Sequence, residues 1–135
     1  MATVPLLSDE EAESRPDVAL VFADIRETRG SPFVNNFWRA LAAADPDELA
    51  RVWADVKRVM TEPGTLDPLT RELVYIAVSA TNGCAYCAHS HTAAARAKGM
   101  SDAQHGELLR ILALAARTNQ IANALQVPID PQFER

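Results

Sequence analysis

The sequence predicts an all-α protein, with about six to seven helices in a single domain spanning residues 1–135. Three observations predict it. Alanine, the strongest helix former, occurs 24 times in the 135 residues. None of the eight prolines falls between Pro68 and Pro128, so residues 69–127 contain no obligatory helix breaker. Period-two alternation flanked by turn dipeptides, the hairpin signal, is missing.

Each helix can be placed from its caps. Ser8, with Glu11 three residues on, opens a short first helix as a capping box. Pro16 and Asp17 open a second through Val18, Val21, Phe22 and Ile25, which ends near Gly30. Pro32 after Ser31 opens a third through Phe33, Phe37 and Leu41. Pro46 after Asp45 opens a fourth, with Leu49, Val52, Trp53 and Val56 on one face, and Glu62-Pro63-Gly64 is a turn. Asp67-Pro68 is an N-cap and N1 pair for a fifth helix, whose stripe is Leu69, Leu73, Ile76 and Ala80. Asn82-Gly83 ends it, and a sixth helix runs from Cys84 to Lys98 with Gly99 behind it. Ser101 with Gln104 caps a long last helix through Leu108, Leu112, Ala115 and Ile121, which Pro128 and Pro131 stop. The tail beyond is expected as an arm or a docked strand-like piece.

Length and composition exclude several classes. A chain of 135 residues suits one domain, and 48% hydrophobic residues exclude a disordered chain. Eighteen acidic against 13 basic residues give a net charge of −5, which argues against nucleic acid or an anionic membrane as partner. No stretch approaches the roughly 18 uninterrupted apolar residues of a membrane span. Residues 1–15 are acidic and lack a signal-peptide pattern, so a cytoplasmic location is expected. In that reducing compartment two cysteines are catalytic, redox-active or metal-binding more readily than a permanent staple.

The informative segment is Asn82-Gly-Cys-Ala-Tyr-Cys-Ala-His-Ser-His91. On a helix, Cys84, Cys87 and His91 fall within about 60° of one another, while His89 lies about 140° from Cys84 and Tyr86 about 160°. One turn separates the cysteines, which is within disulfide reach. The helix N-terminus favours thiolate over thiol, and by that argument Cys84, nearer the start, is the more acidic. His91 can take or return a proton. On the fifth helix Glu72 lies about 60° from Leu69 and about 40° from Ile76, at the edge of the apolar stripe. A carboxylate there needs a partner. The Asn82-Gly83 turn folds it back towards the cysteines, where it is expected as a buried proton acceptor.

The order Glu72, eleven residues, Cys84, two residues, Cys87, three residues, His91 resembles the E-x11-C-x2-C-x3-H motif of the AhpD-like alkylhydroperoxidases, within the carboxymuconolactone decarboxylase family. Leu69-Thr-Arg-Glu-Leu-Val is similar too, and the likeness is concentrated in residues 66–112. It implies that Cys87 attacks a small hydroperoxide and becomes a sulfenic acid, that Cys84 resolves it as a disulfide, and that Glu72 and His91 relay protons. It also implies a dithiol reductant, a lipoyl-bearing protein in the best-known members, and assembly as a homotrimer or homohexamer. No metal or organic cofactor is required, because the electrons come from the dithiol and its donor. One departure is Tyr86, where the best-known members carry a histidine; tyrosine titrates near 10 and relays protons poorly at neutral pH.

Other readings of the same residues stand beside this one. Cys84, Cys87, His91 and Glu72 are four potential zinc ligands in a non-catalytic, zinc- or ligand-binding oligomer. A lactone decarboxylase doing acid-base chemistry without the cysteines is a second rival. His89 and His105 read as structural or solvated, Tyr75 as core, and Trp38, Trp53, Phe33 and Phe37 as core or subunit-interface anchors. Arg96 is a candidate partner for Glu72.

Overall fold

The computed structural model describes residues 1–134 of the chain. It contains seven α-helices, a π-helical turn and a final 3-10 turn, with no strand among the described residues. They gather into two compact units, Met1–Thr65 and a second from Leu66 onward. No helix among the described residues is long and apolar enough to cross a membrane.

The first unit holds α1 (Asp9–Glu13), α2 (Pro16–Arg29), α3 (Asn36–Ala44) and α4 (Pro46–Val56). The Ser8 capping box forms, and Asp45 caps α4 by accepting the Glu48 N–H. Val18, Phe22 and Ile25 of α2 pack with Val34, Trp38 and Leu49 into one buried cluster. Trp38 and Trp53 meet edge to face at 5.4 Å. The Trp53 indole N–H donates to Asp24 at 2.7 Å, so its polar edge is satisfied at the cluster margin.

Two details depart from the sequence reading. The third helix starts at Asn36, not Pro32. Side chains hold the intervening segment: Arg26 Nε donates to the Pro32 carbonyl, and Arg39 Nε to that of Val34, which is buried. Phe33 is consequently left 66% exposed rather than in the core. After α4 the chain widens into a π-helical turn, Lys57–Thr61, where the Thr61 hydroxyl and the Glu62 N–H both bond the Lys57 carbonyl.

The second unit holds α5 (Pro68–Thr81), α6 (Ala85–Ala97) and α7 (Asp102–Leu125). Asp67 caps α5 through the Thr70 N–H. Ile76, Ala95 and Met100 form a small buried cluster, flanked by Leu69, Leu73 and Leu108. Two turns of one design set the frame. At the end of α5, the Cys84 N–H donates to Ser79 O at 2.9 Å and the Gly83 N–H to Ala80 O at 3.2 Å, with Gly83 at φ +70°. At the end of α6 the same pair recurs, Met100 to Ala95 at 3.0 Å and Gly99 to Arg96 at 3.0 Å, with Gly99 at φ +95°. These left-handed positions favour glycine; the first turn joins α5 to α6 and the second joins α6 to α7.

The Ser101 capping box opens α7 as expected. No residue of α7 is buried, however, and Leu109, Ile111, Leu114, Ile121 and Leu125 are each at least half exposed. The apolar period was legible, but only its beginning at Leu108 meets the small cluster. The tail forms a 3-10 turn, Pro131–Phe133, and not a strand-like piece.

Candidate active site

Cys84 occupies two roles at once. It closes the turn after α5 and is the N-cap of α6, where its Sγ accepts the Cys87 N–H at 3.4 Å. Both cysteines are free thiols of intermediate exposure. Cys84 also lines a shallow, open depression with Ala80, Gly83, Ala85 and Ala88. The thiols are electrostatically unequal. The Cys87 thiol and N–H, and then the Tyr86 N–H, donate to Cys84 and hold its pKa below the ordinary 9.0, against a smaller effect of burial. Cys87 is pushed up to about 11, first by donating to Cys84, then by burial and by the Cys84 charge. A thiol near 11 is thiolate in only about one molecule in 10⁴ at pH 7. Cys84 is therefore the more acidic of the two thiols, as its helix-start position suggests.

Glu72, on the first half of α5, is only 4% exposed. Its Oε2 lies 2.6 Å from His91 Nδ1 and its Oε1 2.8 Å from Lys98 Nζ. Burial pushes the carboxyl up, but the His91 and Lys98 hydrogen bonds together outweigh it and leave its pKa below the ordinary 4.5. The carboxylate thus stays ionised and can only accept, so Nδ1 of His91 carries the hydrogen and Nε2 is left as the acceptor. Both carboxylate oxygens are committed. Glu72 was expected as a buried proton acceptor; it is buried, and its two oxygens face His91 Nδ1 and Lys98 Nζ.

Tyr75, one turn after Glu72, stacks on the His91 ring with centroids 3.6 Å apart and planes 20° from parallel. Burial raises its hydroxyl above 10.0, and the nearby charges of Cys87, Cys84 and Glu72 raise it further. Tyr75 is therefore a wall of the site, not the core residue its spacing suggested.

The structure thus brings His91 onto Glu72, and Cys84 onto Cys87, with Tyr75 facing both pairs. One residue was missed by the sequence reading, and Tyr75, which could have lined the same pocket, was read first as core. Lys98 is the cation on Glu72; Arg96, the candidate, pairs with Asp102 at 2.8 Å. The signal for Lys98 was present, since it lies seven residues from His91 and about 20° around the helix. Tyr75 was visible only as a neighbour of Glu72. His89 is exposed and its Nδ1 lies 2.8 Å from Ala85 O, away from the site. Tyr86 is 42% exposed on the opposite side of α6. Among the described residues, no three His, Cys, Asp or Glu side chains converge closely enough to hold a metal ion.

The family model for the carboxymuconolactone decarboxylase family matches residues 47–130, more than half of the chain. The chain belongs to the carboxymuconolactone decarboxylase family. Within it, this chain is AhpD-like. A crystal structure of the alkylhydroperoxidase AhpD core from Rhodospirillum rubrum is 61% identical, with a TM-score of 0.96 over 98% of this chain and 97% of the other. Alkyl hydroperoxide reductase AhpD from Solibacter usitatus is 38% identical over 65 residues. That stretch is 48% of this family member and 35% of the relative, so the match spans about a third of that longer protein.

Proposed function

We propose that the protein is a thiol-dependent peroxidase and disulfide oxidoreductase that reduces organic hydroperoxides through Cys84 and Cys87. The observation that carries this reading is the Cys84 sulfur at the start of α6, accepting the N–H of a second cysteine one turn on. The relatives named for alkyl hydroperoxide chemistry support the substrate class.

In the first step a thiolate attacks the terminal oxygen of R–OOH and displaces the alkoxide. A sulfur–oxygen bond forms, the peroxide bond breaks, and the alkoxide leaves as R–OH once protonated. The second thiol then attacks the sulfenic acid, releasing water and forming the Cys84–Cys87 disulfide. The two thiols lose two electrons and the peroxide gains them. The resemblance gives the attack to Cys87, whereas Cys84 is the more acidic thiol. The hydrogen bond between the thiols lets one proton pass from one sulfur to the other, and either attack ends in the same disulfide. His91 accepts the remaining thiol proton at Nε2 and returns a proton to the leaving oxygen, while Glu72 stabilises the imidazolium in between. A dithiol donor restores the pair, and a lipoyl-bearing protein fits that role. The exposed apolar face of α7 supports assembly as a homotrimer or homohexamer.

Turnover tests the reading. With dihydrolipoamide as donor, the protein is expected to consume cumene hydroperoxide catalytically, and replacing both cysteines by serine is expected to abolish this. The Glu72–His91 pair also suits the rival acid-base chemistry. γ-Carboxymuconolactone turnover that survives the double replacement, without hydroperoxide consumption by the parent, would establish the rival instead.

A further inference from the structure

Glu72 has two oxygens and two cationic or donor partners, and the mechanism above uses only one of them. Lys98 is the other. It is the last residue of α6 before Gly99, held there by the hydrogen bonds of the turn that buries Met100. From that position its ammonium reaches back to Oε1 at 2.8 Å, on a carboxylate whose side chain is 5% exposed.

We propose that Lys98 is a positioning residue: by occupying Oε1 it keeps Glu72 anionic, aims the carboxylate at His91 through Oε2 alone, and so keeps His91 Nε2 available as the proton acceptor. This role in thiol chemistry rests on the redox reading above; the charge linkage itself does not.

The argument is electrostatic. The groups facing the Glu72–His91 dyad are Tyr75 from α5, and Lys98, Cys84 and Cys87 from α6 and its cap. Tyr75 is neutral at pH 7, and the thiols supply no positive charge. Lys98 is thus the positive charge that offsets Glu72. A nearby opposite charge favours the ionised carboxylate by about one to three pH units. Without it, the dyad's cheapest response is to bind a proton. Once bound, that proton blocks Nε2 as an acceptor.

The test is substitution of Lys98 by Met and by Arg, with dyad protonation read from the His91 ring-nitrogen chemical shifts. In Lys98→Met the dyad is expected to take up its proton about one pH unit higher than in the parent. The acid limb of hydroperoxide-driven thiol oxidation should move up with it, slowing the reaction about tenfold within that limb. Lys98→Arg keeps the charge and should leave both close to the parent. If the Met variant does not fold, Lys98→Gln, which keeps a donor to Oε1 without the charge, should show the same upward shift. A lower melting temperature with an unmoved ring titration in the uncharged variant would overturn the proposal. The ring titration needs no peroxide. A parent inert to hydroperoxide therefore sinks the redox reading alone, and a redox-active parent with an unmoved titration sinks the role of Lys98 alone.

Discussion

Replacing either Cys84 or Cys87 by serine is expected to lower hydroperoxide turnover at least about 10³-fold, because a hydroxyl is neither a nucleophile at neutral pH nor able to close a disulfide. The two variants should fail differently. In Cys87→Ser the Cys84 sulfur keeps the backbone N–H and has a serine hydroxyl as donor in place of the thiol, so it should still react with iodoacetamide at pH 7. In Cys84→Ser, Cys87 is released from the partner that pushes it up to about 11, so its thiolate should appear at lower pH than in the parent. Peptide mapping of the reduced parent after brief alkylation checks the order. The label is expected on Cys84 first. Equal or preferential labelling of Cys87 would contradict the charge distribution derived from the hydrogen bonds.

The second large effect is expected at Glu72. Glu72→Gln keeps the shape but removes the charge that stabilises the His91 imidazolium. Oxidation by hydroperoxide should slow on the order of 10²-fold, measured by stopped flow under single-turnover conditions. A rate equal to the parent's would remove the dyad from the mechanism. The same variant has a signature in stability. The folded-state pKa of Glu72 is depressed below 4.5. Its contribution to stability is therefore present above that value and lost as the pH falls through it. The parent should lose this part of its stability as the pH falls below 4.5 and through the depressed folded-state pKa, and Glu72→Gln should not.

The parts of the molecule legible in the sequence are those fixed by local chemistry. The Ser8 and Ser101 capping boxes, the Asp67-Pro68 start and the Asn82-Gly83 stop all stand where side-chain pattern places them, since caps depend on residues three or four apart. That Cys84, Cys87 and His91 share one face of α6 follows from helical angle, and the contact of Glu72 with His91 could be expected because one short turn joins the two helices.

What was not legible depended on partners distant in the chain. Pro32 looked like a helix start, and the arginines that hold residues 32–34 in a loop come from the neighbouring helices. The stripe of α7 has a helical period, but period says which face is apolar and not what covers it. Lys98 was read only as the end of the sixth helix. Its bond to a carboxylate 26 residues earlier emerges only when α5 and α6 lie side by side. Glu72 was placed near His91, but its second partner was not foreseen. Spacing shows that a carboxylate is near a histidine; it does not show that a lysine holds its other oxygen.

The central claim is that hydroperoxide converts two neighbouring thiols into one disulfide. It is tested most directly by titrating free thiols before and after one equivalent of an organic hydroperoxide, with mass spectrometry of the peptides. The account predicts that both thiols disappear, that the protein loses two hydrogens, and that Cys84 and Cys87 are recovered as one linked peptide that dithiol reductant restores. Two thiols still free after the equivalent is added, or a product carrying added oxygen with no link between Cys84 and Cys87, would contradict it.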